Sequence, residues 1–388
     1  MSLSNLPWEI LLEIADYLDN AGMNSLVRTN SNVYYLLNQL LYRRDLRSQI
    51  GGSTSLTWAI ANGVEGTVQR AVDAGRCLNP IPENFHIALG VAAEQGHASI
   101  VRQLLAREDL DCNTIRSGWT PLTTACNFGH IEIVNLLLDR DDVDVNLSDG
   151  TSTPLITAVE MGFVEVVGSL LARDDLKPNI VNKLGDHVLG QAVSRGNVDI
   201  VKLLLDHPGI DLNFMVGNDL ITALMLAWQP DMAKLLLEQE GIEVNRQNGL
   251  GFTALCKAAC SSQSEIVKIL LEREDININL SNNLGQTPLF WAVRRNCLEL
   301  VDLLLKKDGI DPNPKVIDSG RTPLAHACHF GGSIAIVQSL LSHPDTDPNA
   351  VDSNGVSILA DFMTVQHFMA DSLQADEIEL LLRTAGAR

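Results

Sequence analysis

The chain has 388 residues, 46% of them hydrophobic, and sets 48 Asp and Glu against 28 Lys and Arg, a net charge of −20. That length exceeds one ordinary core and fits either a few compact domains or one long repeat array; the hydrophobic share excludes a disordered chain, and the acidic balance excludes a face built to neutralise nucleic-acid phosphates. Seven cysteines, an odd number without paired spacing, make no disulfide framework and fit a reducing compartment.

The first residues lack a positive leading region, and Glu9, Glu13 and Asp16 interrupt any apolar run, so no secretory leader is expected. No stretch approaches the ~18 apolar residues of a membrane span. The expectation is a soluble intracellular protein, cytoplasmic or nuclear, that contacts no membrane. Residues 1–50 are helical in pattern. Leu6, Ile10, Ile14 and Leu18, with Leu11 beside them, form one stripe, and Pro7 sits where a helix would start. Leu26 and Val27 mark a short second helix, residues 33–42 a third, and Gly51-Gly52-Ser53 a hinge. A chain of ~50 residues rarely buries enough surface to stand alone, so these apolar faces need a cover. A partner protein can supply it, or the segment that follows.

That segment repeats. Thr-Pro-Leu begins at Thr120, Thr153, Thr287 and Thr322, with degenerate copies at Thr54, Ile87, His187, Thr222, Thr253 and Ser357, and successive starts are 31 to 35 residues apart. A second marker keeps phase with the first: Asn79, Asn113, Asn146, Asn179, Asn213, Asn245, Asn279, Asn313 and Asn349 recur every 32 to 36 residues. A fixed period of that size decides the fold. Each repeat has a readable mechanism. Thr caps a helix, and Pro fits its first position, where the missing N–H costs nothing. Five residues on, a small side chain such as Ala125, Ala158, Ala192, Ala258 or Ala292 lets neighbouring helices approach. Gly63, Gly96, Gly129, Gly162, Gly196 or Gly331 then closes the helix in the left-handed conformation; Asn296 can take that place, Ser262 less readily.

A second helix follows, with a stripe such as Ile133, Val134, Leu137 and Leu138, and then a finger turning at Gly118, Gly185, Gly251, Gly285, Gly320 or Gly355. The repeat at 222 is short between its helices, and the last carries seven extra residues. This helix–turn–helix–finger pattern resembles the ankyrin repeat over roughly residues 53–388. The resemblance implies a mainly α-helical solenoid of about ten repeats. The family's His after Thr-Pro-Leu is missing, its slot holding Thr123, Ile156, Cys256, Phe290 or Ala325, so its buried Thr–His hydrogen bond should be missing too. Sequences with this style of finger resemble those of filamentous fungi.

The leading segment, Leu6-Pro7-Trp8-Glu9-Ile10 through Leu18 with Leu26-Val27 and Tyr34 onward, resembles an F-box of about 45 residues. The family's usual Cys near the second helix is replaced by Thr29-Asn30. The resemblance implies docking of Leu6, Pro7, Ile10, Ile14, Leu18, Leu26 and Val27 onto a Skp-family adaptor of a cullin–RING ubiquitin ligase, with the array capturing a protein client. The alternative is a non-catalytic ankyrin scaffold whose first helices only cap the stack.

In the ankyrin family the finger tips and the exposed face of the first helix form a concave binding surface. The matching positions hold Trp119, Phe128, Met161, Arg195, Phe252, Arg294, Arg295, Arg321, His329 and Phe330. Aromatics and Arg dominate binding hot spots. The basic–aromatic group Arg294, Arg295, Arg321, His329 and Phe330 suits an acidic or phosphorylated client segment, held through forked Arg hydrogen bonds. The alternative is that these Arg residues pair with neighbouring Asp and Glu while Phe330 packs between repeats. One finger slot carries the opposite sign, in Asp111, Asp144, Asp211, Glu243, Asp311 and Asp347, interrupted by Lys177 and Asn277. It reads either as a stripe that steers a basic partner or as a solvated face that keeps the stack monomeric.

No phosphate loop, His-Glu-x-x-His or Cys-x-x-Cys is present. Cys328 beside His326 and His329 falls in a small core slot, and Cys256 with Cys260 has no second ligand pair, so both read as structural thiols rather than metal ligands. No enzyme activity and no cofactor are expected.

Overall fold

The computed structural model describes residues 55–75, 83–116, 118–148, 152–217, 219–366 and 372–388. The helical segment expected at 1–50, with Leu6, Pro7, Ile10, Ile14, Leu18, Leu26 and Val27, lies outside them. The chain divides into two compact bodies, residues 1–183 and 184–388. Among the described residues both are helical, and the only extended pairing is three isolated bridges at finger tips.

The first body holds α1 (Ser55–Ala61), α2 (Glu65–Gly75), α3 (Glu83–Gln95), α4 (Ala98–Leu105), α5 (Pro121–Phe128), α6 (Ile131–Leu138), α7 (Pro154–Met161) and α8 (Val164–Leu171). Each odd-numbered helix packs on the next odd one and each even helix on the next even one, giving two layers. The second body follows the same plan. Its helices are α9 (Val188–Arg195), α10 (Val198–Leu205), α11 (Ala223–Leu226), α12 (Pro230–Leu237), α13 (Ala254–Cys260), α14 (Ser264–Leu271), α15 (Pro288–Arg294), α16 (Leu298–Leu305), α17 (Pro323–His329), α18 (Ile334–Ser342), α19 (Ile358–Val365) and α20 (Ser372–Thr384).

The local chemistry explains these boundaries. Thr120, Thr153, Thr253, Thr287 and Thr322 each accept the amide three residues on, as an N-cap does. His187 fills the same slot in its repeat, its Nδ1 accepting the Leu189 amide. At the far end Gly129 (φ 71°), Gly162 (80°) and Gly196 (74°) take the left-handed conformation. Asn296 takes it at 53°, and so does Ser262 at 55°, although serine suits it less. Between these ends lie the small residues: Ala125, Ala158, Ala192 and Ala292 have no exposed surface, so the layers close over them. The second helices turn Ile133, Val134 and Leu137, or Ile200, Val201 and Leu204, inward.

One departure from the sequence reading and two details within it are instructive. Ile87 was expected to open a helix, but α3 starts at Glu83 and places Ile87 inside it, because Phe85 is drawn fully into the core. The short repeat has lost the end of its first helix: α11 is a single turn of four residues, and Pro230 starts α12 almost at once. Where the family would place His, the Thr123 hydroxyl stands 3.0 Å from that of Thr120, a buried bond of another kind.

The Asn marker is an inter-repeat bridge. Asn313 donates from Nδ2 to the Asp345 carbonyl (2.7 Å) and accepts the Asp347 amide (2.8 Å), and Asn113, Asn146, Asn213, Asn245 and Asn279 do the same toward their own next repeats. The acidic finger slot, exposed to solvent, also supports this bridge. Asp111, Asp144, Asp211, Asp311 and Asp347 accept the amide of the Asn two residues on, at 2.8 to 2.9 Å, and Asn277 serves Asn279 in the same way. Lys177, with no acceptor, cannot. Asn313→Ala, which removes two hydrogen bonds, is expected to cost about 1–3 kcal/mol, read as a lower urea midpoint.

Arginines clamp the same loops. Arg140 grips Asp142 through two nitrogens, at 2.8 and 2.7 Å, and donates to the carbonyls of Leu105, Arg107 and Glu108 in the preceding repeat. The Arg140 hydrogen bond holds the Asp142 carboxyl below the ordinary carboxylate range. Arg173 with Asp175 repeats the clamp in the first body, as Arg273 with Asp275 does in the second.

One strained residue offers a direct stability test. Leu220 occupies the finger slot that glycine fills elsewhere and sits at φ 54°. A left-handed leucine costs roughly 1–2 kcal/mol, part of which glycine would return through its freer unfolded state. Leu220→Gly is therefore expected to stabilise the second body by about 0.5–1 kcal/mol, seen as a raised thermal midpoint.

Candidate functional site

Each body presents its own surface of interest. In the first, a cleft of about 420 Å³ opens between α3, α5 and the finger leading into α5, lined by Gly90, Glu94, Arg116, Trp119, Thr124 and Phe128. The finger shapes one wall. Arg116 and Trp119 exchange main-chain N–H to O bonds at 2.9 and 3.0 Å, and Gly118 between them turns at φ 90°. Phe128, 46% exposed, stacks on the His130 ring at 6.0 Å. His130 Nε2 lies 3.2 Å from the Glu94 carbonyl oxygen, tying the end of α3 to that ring. Two lining residues, Trp119 and Phe128, are positions that the sequence singles out; Gly90, Glu94, Arg116 and Thr124 are not.

In the second body the expected basic–aromatic residues gather into two adjoining groups. Around α15, Trp291 lies 5.7 Å from the Phe252 ring, with the Arg294 and Arg295 guanidinium carbons 4.9 and 5.8 Å from its own. Trp291 itself is buried, and its Nε1 has no hydrogen-bond partner. Arg295 is exposed but committed to the preceding repeat, donating to the Cys260 carbonyl at 2.6 Å. Arg294 is exposed and forms no ion pair with any described residue.

Around α17 the arrangement is tighter. Arg321 Nη2 lies 3.1 Å from His329 Nδ1 and 3.4 Å from Asp361, which also meets His329 at 2.9 Å. The Arg321 guanidinium carbon lies 5.8 Å from the Phe330 ring centre, while His326 stands between the rings of Phe290 and Phe330 at 4.7 and 4.6 Å. Burial, helped by the charges of Arg294, Arg321 and His329, pushes His326 down to about 4, so it is neutral at pH 7. The second possibility raised by the sequence thus applies to Arg321, whose charge is met by Asp361. Phe330 remains 63% exposed at the rim. Arg294 is the guanidinium here with its donors unspent.

Of the thiols considered as ligands, Cys256 and Cys328 are buried, which raises both to about 12, while Cys260 is half-buried. Among the described residues no group of three His, Cys, Asp or Glu side chains is placed to hold a metal ion. Nor is any described helix long and apolar enough to cross a membrane.

Comparison with known proteins fits this architecture. A family model of three ankyrin repeats matches residues 89–182, 170–248 and 229–316, and a single-repeat model matches 319–353. The crystal structure of the ankyrin repeat domain of Bcl-3, titled a unique member of the IkappaB protein family, is 26% identical, with 60% of this chain and 98% of that one covered at a TM-score of 0.52. EF0377, an ankyrin repeat protein, is 30% identical over 48% of this chain and 97% of its own, at a TM-score of 0.45. No curated protein matches the chain. With more than half its length matched by the repeat model, and with caps, closing turns and fingers recurring in step, the chain belongs to the ankyrin-repeat proteins.

Proposed function

We propose that this ankyrin protein is the substrate-recognition subunit of a cullin–RING ubiquitin ligase of the SCF type, similar to F-box–ankyrin chains of filamentous fungi. Ankyrin repeats are, as a rule, non-enzymatic modules for protein–protein interaction, and that much follows from the array itself. The further step rests on one observation: the sequence Leu6-Pro7-Trp8-Glu9-Ile10, continued by Ile14, Leu18, Leu26 and Val27, stands ahead of the repeats. In this reading those residues dock on a Skp-family adaptor, in cytoplasm or nucleus, and the chain is monomeric before assembly. The array holds the client through Trp119 and Phe128 in the first body and through Phe252, Arg294, Arg295, Arg321, His329 and Phe330 in the second.

The test is a pull-down of the full chain. Leu6→Ala, Pro7→Ala and Ile10→Ala together are expected to weaken adaptor co-purification by at least about 30-fold, the loss of one hot spot or more, with the thermal midpoint unchanged. A variant that unfolds at lower temperature with no adaptor present would instead make the leading helices a cap and the protein a plain scaffold. For the client, Arg294→Ala with Arg295→Ala and Arg321→Ala should abolish capture of an acidic or phosphorylated segment and leave the adaptor bound. Arg294 should carry most of that loss, since Arg321 already faces Asp361 and Arg295 faces Cys260.

A further inference from the structure

We infer that the cleft between α3, α5 and the finger joining α4 to α5 receives a cationic side chain, lysine or arginine, presented by a basic polypeptide segment. The proposal deepens the interaction reading of the array and rests on it, but concerns a place and a charge that differ from the arginine-rich surface of the second body.

Two aromatic walls and one carboxylate define the chemistry. Trp119 and Phe128 line the cleft, and aromatic faces attract cations through their quadrupole. Glu94 supplies the opposite charge from the last turn of α3 and is exposed, with no ion pair to any described residue. Thr124 completes the lining as an acceptor: its hydroxyl proton is already given to the Thr120 carbonyl at 2.9 Å, so only lone pairs are left for a ligand.

Gly90 keeps the cleft open. It lies inside the thirteen-residue helix α3, where glycine is a poor helix former, and a Cβ there would meet nothing within 4 Å. No neighbouring packing requires it. What its missing side chain leaves is the open volume of the cleft.

Arg116, exposed on the finger, has the wrong sign for the cation. It can only donate, so it suits the carbonyl oxygens of the incoming main chain. Helix α5 contributes no ionised residue to the cleft, and the chain as a whole carries −20, which draws a basic segment toward it.

Calorimetric titration of the full chain tests this, with pentalysine and penta-arginine as probes, penta-acetyllysine as the neutral form of the first, and pentaglutamate as the opposite charge. Saturable binding of a cationic peptide, absent for the acetylated one, is the expected result, and the stronger of the two assigns ammonium or guanidinium. Gly90→Leu fills the cleft with a better helix former, so it should weaken binding at least tenfold while the thermal midpoint does not fall. Glu94→Gln should weaken it similarly, and Arg116→Gln should strengthen it severalfold.

Undiminished binding to Gly90→Leu would overturn the proposal, since the cation would then be held by diffuse attraction to an acidic surface. Binding of pentaglutamate that Arg116→Gln abolishes would make the cleft an acid site instead. Client capture by a chain that ignores both cationic peptides would remove this assignment and leave the interaction reading intact.

Discussion

Phe85→Ala is expected to destabilise the first body by about 3–5 kcal/mol. The ring is completely buried in the first turn of α3. The guanidinium carbon of Arg107 lies 5.4 Å from its centre. That arginine is only 6% exposed; it spends Nε and Nη2 on Asp109 and leaves Nη1 without a hydrogen-bond partner. Deleting the ring therefore leaves a cavity and also takes the face away from a buried cation, so the loss should fall in the upper part of that range. Phe85→Leu, which keeps volume but not the aromatic face, should lose less. Urea unfolding followed by circular dichroism measures both, and a change under about 1 kcal/mol for the alanine variant, far below a buried Phe truncation, would contradict this packing.

The second large effect comes with acid. His187 is 1% exposed, and burial pushes it down to about 4. In the unfolded chain a histidine binds its proton near pH 6.5. Between those values the unfolded state takes up a proton that the folded state refuses, so stability is full above about 6.5 and falls toward 4 by roughly 1.4 kcal/mol per pH unit. Acidification from pH 6.5 to 4 should thus remove about 3 kcal/mol through this residue, and His326, lowered in the same sense, adds to the loss.

The clamp carboxylates Asp142, Asp175 and Asp275 act in a different window. The Arg hydrogen bonds lower them, so their contribution is complete above the ordinary carboxylate value and fades only below it. His187→Thr isolates the histidine effect. Thr belongs in that slot and does not titrate, so the decline between pH 6.5 and 4 should shrink. The variant should start from lower stability at neutral pH, because Thr cannot replace the ring stacked at 4.4 Å on Phe214. An unchanged acid slope would show that His187 is not the group responsible.

The parts of this fold that were legible in the sequence are those fixed by the chain's own backbone chemistry. Thr caps, Pro at the first helical position and Gly in the left-handed region act locally, so each repeat announces itself. The start of α3 at Glu83 was not legible, because the repeat slot at Ile87 does not show that Phe85, four residues behind Leu89, is buried with the core. Leu220 was illegible for the opposite reason: it sits in a conformation that its own side chain disfavours, whereas Ser262 stood in a closing slot that the pattern already marked. The acidic finger slot read either as a steering stripe or as a solvated face; its carboxylates are exposed, and what a sequence does not show is the amide that each one caps.

The candidate sites divide in the same way. Trp119 and Phe128 occupy recurring slots and could be named in advance. Glu94 and Gly90 belong to the preceding repeat, and reading slots one repeat at a time misses a cleft made by two. Asp361 meets Arg321 from 40 positions away, which no local pattern reports.

The Asn bridge has a practical consequence at its final step. Asn349 reaches past α20: it donates to the Gly386 carbonyl at 3.1 Å and accepts the Arg388 amide at 2.9 Å. A chain cut before Gly386 would lose both contacts at once. Fraying of α20 would then start there, so any shortened form should keep residues 386–388.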